Sequence, residues 1–191
     1  EYKKFLTYDV TPFYIYNPLV VDRIFKFSPN AKIIAALRNP IDRAYSNYNN
    51  RMQDEGDTKT TFEEIVYSEI EKIENNENNQ ENNAFLVDEF YELLLARGFY
   101  AKQLEFWFKK FPRKNILLIS SEELAVNTDK TISEVFEFLE VPDQKINDLT
   151  KQNKIKYPKM KDSTREILIN FFKPHNEKLF EILGSKFDWD K

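Results

Sequence analysis

The chain has 191 residues, 41% of them hydrophobic and 31% charged, with a formal net charge of −4. That length suits one domain able to bury about 70% of its unfolded surface, and the acidic balance argues against wholesale nucleic-acid binding but not against one basic pocket. With no cysteine and one histidine, disulfide frameworks, zinc ribbons, iron–sulfur clusters, thiol nucleophiles and two-histidine metal sites are excluded.

From the N-terminus, residues 5–8 (Phe-Leu-Thr-Tyr) read as a short β-prone run ending at Asp9 and broken by Thr11-Pro12. An amphipathic stretch follows over residues 18–27, closed by Pro29-Asn30. Residues 32–37 (Lys-Ile-Ile-Ala-Ala-Leu) form an apolar run suited to a strand buried on both faces. Asn39-Pro40 then opens a helix, with asparagine as N-cap and proline at the first helical position. Ile41, Ala44, Tyr45, Tyr48 and Met52 give that helix a packing face. Strand, turn and helix make one βα unit, with Arg38 at the carboxyl end of its strand, where open α/β sheets bind ligands.

A capping box at Thr61-x-x-Glu64 predicts another helix start. Residues 71–83 are rich in Glu, Asn and Gln and read as a low-complexity insertion, a solvated segment in preference to an interaction loop. Helical periodicity resumes from Ala84 to Phe111 with a break at Arg97-Gly98, and residues 115–119 predict a second buried strand. Thr131-x-x-Glu134 and Ser163-x-x-Glu166 read as caps of two further helices, and Pro174 is expected to kink or split the last. Alternating strands and helices predict an α/β fold with a mostly parallel sheet, of which three strands are evident. No apolar run approaches the 18 residues of a membrane span, the N-terminus lacks a signal-peptide core, and the cysteine-free composition fits a reducing cytoplasm. An initial Glu in place of Met reads as a processed chain or a piece of a longer one.

Three features can carry chemistry. Arg38 stands at a strand end beside the backbone N–H groups of a helix start, an arrangement suited to an oxyanion or phosphate, and Ser46 lies one to two turns into the same helix. The plainer alternative is a surface arginine paired with Asp42 and an exposed serine. Lys151, Lys154, Lys156, Lys159 and Lys161 form an acid-free segment around Tyr157-Pro158, either a solvated surface or a positive flap for a phosphate ligand. Asp9 is a candidate general base, or an aspartate bonding its own turn. His175 sits among Phe172, Leu179 and Phe180 and reads as a packing residue.

Glycine is the informative absence. Gly56, Gly98 and Gly184 lie too far apart for either G-x-G-x-x-G or G-x-x-x-x-G-K-[ST].

Seven motifs in order then resemble one superfamily. They are Asp9-Val-Thr-Pro-Phe-Tyr14; Ala31-Lys-Ile-Ile-Ala-Ala-Leu-Arg-Asn-Pro-Ile-Asp-Arg-Ala-Tyr-Ser-Asn-Tyr48; Arg97-Gly-Phe-Tyr100 leading to Trp107; and Ile116-Leu-Leu-Ile-Ser-Ser-Glu122. Phe136-Glu-Phe-Leu139, Lys156-Tyr-Pro-Lys-Met160 and Phe171-Phe-Lys-Pro-His-Asn176, running on to Trp189, complete the set. Together they resemble the sulfotransferases that use 3′-phosphoadenosine 5′-phosphosulfate (PAPS), above all bacterial members and the heparan sulfate N-sulfotransferase domain. The resemblance covers residues 6 to 190 and implies one sulfotransferase-like domain over 1–191, a P-loop-like parallel sheet with flanking helices.

The resemblance assigns Arg38 and Ser46 to the 3′-phosphate of PAPS. Lys156 and Tyr157 match the flap that closes on the cofactor, with Lys154 beside them in the cofactor-binding set; Ile155 departs from the arginine of the heparan enzymes. Asp9 matches a catalytic glutamate. The implied reaction is in-line sulfuryl transfer to a hydroxyl or amine, with a carbohydrate as the expected acceptor and no metal, nucleic acid or membrane span involved. Members open with a Lys-x-Gly-Thr-Thr loop for the 5′-phosphosulfate, and the eight residues before Asp9 hold no such loop. The fold is therefore expected to be incomplete at its N-terminal strand-loop-helix. The rival function is a non-catalytic truncated paralogue or binding module that keeps the 3′-phosphoadenosine half-site.

Overall fold

In the computed structural model, which describes residues 7–54, 60–78, 93–146 and 157–189, the apolar run becomes strand β1 (Ile33–Leu37). It pairs in parallel with β2 (Ile116–Ser120), in a register that sets Ile33 against Ile116 and Leu37 against Ser120. Two strands make up the sheet among the described residues. The third expected strand does not form over Thr7 and Tyr8, which are exposed coil with no ladder partner; residues 5 and 6 lie outside the described residues. Nor is β1 buried on both faces. Leu37 and Ala35 pack under helices, whereas Ile34 keeps 40% of its surface exposed, because helices cover one face of this small sheet.

The helices are α1 (Pro18–Phe27), α2 (Pro40–Asp54), α3 (Phe62–Asn78), α4 (Tyr100–Lys110), α5 (Ser121–Val126), α6 (Thr128–Leu139) and α7 (Asp162–Leu183). Asn39 caps α2 as expected, its Oδ1 accepting from the Ile41 N–H at 3.0 Å. The Thr61–Glu64 capping box closes in both directions: the Thr61 N–H donates to Glu64 at 2.7 Å and the Glu64 N–H to the Thr61 hydroxyl at 3.3 Å.

Other expectations are corrected. α6 begins at Thr128, so Thr131 lies inside the helix, buried, with its hydroxyl donating to the Asn127 carbonyl. α7 begins one residue before Ser163, and no side chain caps it. α7 also runs unbroken past Pro174. The carbonyl that loses its helical donor there belongs to Asn170, and Asn170 and Pro174 are both exposed, so water can satisfy it. Helix α3 extends through Asn78 and buries Ile73 in the core, so residues 71–78 are not an excursion from the fold; residues 79–83 lie outside the described residues.

Three apolar clusters join these elements. One lies between α2, α3 and α7 around Ala44, Val66 and Phe172; a second joins Leu37 to Tyr100, Leu104, Leu179 and Trp189; a third joins Val21 to Trp107, Phe111 and Ile116. Burial at about 25 cal/mol per Å² makes such clusters the main favourable term. Between α2 and α7 sits the 3₁₀ turn Ala96–Gly98. Its approach is anchored by Glu69 of α3, a buried carboxylate that accepts from the N–H groups of Leu94 and Leu95 at 2.8 Å each.

Gly98 has the tightest surroundings in the fold's centre. A Cβ there would stand 2.7 Å from the Phe172 ring and 2.7 Å from the Pro40 ring, neither of them a flexible chain end. Gly98→Ala is expected to lower stability by about 1–3 kcal/mol, the usual cost of overpacking. A denaturant melt reads this as a lower midpoint with an unchanged slope.

Candidate functional site

The carboxyl ends of two adjacent parallel strands lie side by side at Leu37 and Ser120. Arg38-Asn39 follows one of them and Ser121-Glu122 the other. The corner between β1 and α2 is held from three directions. The buried Tyr100 hydroxyl donates to the Arg38 carbonyl at 2.9 Å. The Asn39 N–H donates to Glu122 Oε1 at 2.8 Å. The Asn39 side-chain amide donates to the carbonyl of the buried Trp189 at 3.0 Å.

Arg38 itself is half-buried, and neither its guanidinium nor the Ser46 hydroxyl makes a hydrogen bond or ion pair among the described residues. The expected rival partner is engaged elsewhere: Asp42 pairs with Arg165 of α7 at 2.7 Å. One element of the anion-site expectation is corrected. Pro40 has no N–H, and the N–H groups of Asn39 and Ile41 are already bonded within the corner. The Asn39 and Ile41 amides are therefore not open to an anion, which leaves the side chains of Arg38 and Ser46 as the donors that the sequence singled out. A planar guanidinium is well suited to a phosphate or sulfate.

Glu122 ties the two strand ends together. Its Oε2 accepts from the Ser120 hydroxyl at 2.8 Å and from the Trp189 indole N–H at 3.1 Å. Burial pushes its carboxyl up, but the donors, led by the Asn39 N–H and the Ser120 hydroxyl, outweigh burial and hold its pKa below the usual carboxylate value. A carboxyl depressed in the fold contributes stability above the ordinary carboxylate range, and that contribution is lost as pH falls.

Beside the corner lies Arg43, which donates to the Leu94 carbonyl. Burial lowers its pKa, and the neighbouring Tyr100 and Glu69 act in the opposite direction. Arg97 lies over the rings of Phe13 and Tyr16, at 5.4 and 5.3 Å. The segment carrying those rings is pinned to α4 by the Trp107 indole, which donates to the Ile15 carbonyl at 2.9 Å.

Asp9 does not stand at a strand end. It lies in exposed coil, where its Oδ2 accepts from the Tyr14 hydroxyl at 2.6 Å, leaving Oδ1 without a partner among the described residues. That bond raises the Tyr14 pKa. Tyr157 packs edge-on against Tyr45 of α2 at 5.4 Å, and the Tyr45 hydroxyl donates to the Pro158 carbonyl at 2.9 Å. The end of the lysine segment is thus seated on the residue next to Ser46. Lys154 and Lys156 lie outside the described residues. His175 stacks on Phe99 at 3.8 Å, in keeping with a packing role. No group of three or more metal-ligating residues gathers among the described residues.

Residues 18–191 match the sulfotransferase domain. The chain belongs to the sulfotransferase family. Among curated sulfotransferases it is similar to the membrane-associated sulfotransferase kil1 of Dictyostelium discoideum, 26% identical over 95% of this chain and 52% of that one. Human heparan sulfate glucosamine 3-O-sulfotransferase 3B1 is 26% identical over 97% of this chain and 50% of its own length. Human carbohydrate sulfotransferase 15 is 29% identical over 90% and 33%. The chain thus spans about half or less of these relatives. A solved sulfotransferase from Alicyclobacillus acidocaldarius superposes with a TM-score of 0.73 at 27% identity, over 94% of this chain and 65% of that one. This bears out the α/β, P-loop-like fold. No helix among the described residues is long and apolar enough to cross a membrane.

Sequence reasoning placed Arg38 and Ser46 but gave no role to Tyr100, Glu122 or Trp189. The parallel arrangement was the available signal for Glu122, because parallel strands bring their carboxyl ends to one edge. Nothing local in the sequence marks a tryptophan at the C-terminal end as a partner of that edge. Tyr100→Phe leaves the Arg38 carbonyl without its donor and is expected to cost about 1–3 kcal/mol, checked by chemical denaturation.

Proposed function

We propose that this sulfotransferase uses PAPS as donor and recognises its 3′-phosphate through Arg38 and Ser46, transferring the sulfuryl group to a hydroxyl or amine of a carbohydrate. The carrying observation is the unengaged Arg38 guanidinium at a rigidly held strand end, with Asp42 and Glu122, the carboxylates best placed to quench it, both bonded to other partners. The residues present fit the group: a phosphate needs charge and donors, and Arg38 and Ser46 supply both from one βα unit. Tyr157, seated against Tyr45 of the same helix that carries Ser46, supports its assignment to the cofactor site, to which Lys154 and Lys156 are assigned by the same resemblance.

When bound, the nucleotide supplies the sulfuryl group and departs as adenosine 3′,5′-bisphosphate. Asp9 acts as general base as the acceptor attacks sulfur and the bond to the leaving phosphate breaks, its Oδ1 taking the acceptor proton while Oδ2 stays bonded to Tyr14, a role usually worth ~10²–10⁴ in rate. Aspartate reaches one methylene less than the matching glutamate, so the acceptor oxygen must approach this loop closely. A carbohydrate acceptor rests on the similarity to heparan sulfate and carbohydrate sulfotransferases and on the Phe13 and Tyr16 rings near Arg97. The Lys-x-Gly-Thr-Thr loop that family members use for the 5′-phosphosulfate does not occur in these 191 residues. This chain by itself is therefore expected to bind the nucleotide better than it turns it over.

Calorimetric titration tests the reading. Adenosine 3′,5′-bisphosphate is expected to bind at least about tenfold more tightly than 5′-AMP, and Arg38→Ala to abolish the difference. Equal affinity of the unaltered chain for both nucleotides would contradict it.

A further inference from the structure

Arg38 is immediately followed by a residue whose backbone is bonded to a carboxylate. Such a carboxylate would ordinarily capture the arginine as an ion pair. Here it does not: Oε1 accepts from the Asn39 N–H, and Oε2 from the Ser120 hydroxyl and the Trp189 indole. The same tryptophan returns to the corner through its carbonyl, which accepts from the Asn39 side chain. Glu122, Asn39 and Trp189 thus form a closed triangle around the turn that aims Arg38. Trp189 is itself fixed by Tyr100, Phe180 and Phe187, whose ring centroids lie 5.9, 5.9 and 4.8 Å away.

We propose that Glu122 is a positioning residue for the 3′-phosphate: through Asn39 it fixes the direction in which Arg38 leaves β1 and so presents that arginine to the ligand. This rests on the assignment of Arg38 to the 3′-phosphate. Glu122 does not touch the nucleotide, and its effect is confined to the half of the ligand that Arg38 reads. A merely structural Glu122 would affect all nucleotides alike.

The test uses the intact chain, unaltered and as Glu122→Ala and Glu122→Gln, titrated with adenosine 3′,5′-bisphosphate and with 5′-AMP while thermal midpoints are followed. Glu122→Ala is expected to weaken the bisphosphate about ten- to a hundredfold, as loss of an orienting partner does elsewhere, and to leave 5′-AMP within about twofold. Glu122→Gln keeps an acceptor for Asn39 but opposes its amide to the Trp189 N–H, so it should fall between the two. If Glu122→Ala does not fold, the Gln variant carries the same comparison. Equal weakening of both nucleotides, or no weakening of the bisphosphate, overturns the positioning role. An unaltered chain that fails to distinguish the nucleotides overturns the 3′-phosphate assignment, and this inference with it.

Discussion

The parallel pairing of β1 with β2, in register from Ile33–Ile116 to Leu37–Ser120, is the constraint on which the rest of the structure depends. It brings two strand ends to one edge, and from that edge spring the two turns that carry Arg38 and Glu122. Backbone polar groups released where a strand ends must find partners when half-buried. Here the Arg38 carbonyl and the Asn39 N–H find them in Tyr100 and Glu122, and the Asn39 side chain adds a bond to Trp189; the three lie far apart in the chain. The corner therefore fixes the relative placement of β1, β2, α4 and the segment after α7 that carries Trp189, and it is the same corner that presents an unengaged guanidinium.

Packing reinforces this arrangement. Gly98 lets the turn before α4 lie directly against Pro40, the first residue of α2, and against Phe172 of α7. On the far side, the Arg165–Asp42 pair and the Tyr45–Pro158 bond tie the start of α7 and the end of the lysine segment to α2. Helix α2 is thus gripped along its length. A rigid helix suits a serine that must meet a ligand at a fixed distance from Arg38. Exposed ion pairs contribute little individually, so the grip comes chiefly from the apolar cluster around Ala44, Val66 and Phe172.

What could be read in the sequence follows from how local each signal is. The βα unit at 33–54 was legible because apolar run, Asn-Pro and helical periodicity are all short-range. The Thr61 box was legible for the same reason. Thr131 and Ser163 carry the same spacing and cap nothing, since the pattern states only that a cap is possible. The exposure of Ile34 is not legible in the sequence, because an apolar run does not say how many layers will cover it. The continuity of α7 through Pro174 depends on which side of the helix loses its donor, a fact of tertiary placement. Arg38 and Ser46 could be paired as candidates because they share one unit, whereas Glu122 and Trp189 meet that unit only after folding. The scarcity of glycine gave no hint that Gly98 is what lets the turn before α4 lie against Pro40 and Phe172.

The most direct measurement is a crystal structure of this chain with adenosine 3′,5′-bisphosphate. The account predicts the 3′-phosphate within hydrogen-bond distance of the Arg38 guanidinium and the Ser46 hydroxyl, with Glu122 still bonded to Asn39 and Trp189. A 3′-phosphate bound elsewhere, or Arg38 turned onto Glu122 or Asp42 with the nucleotide in place, would contradict it.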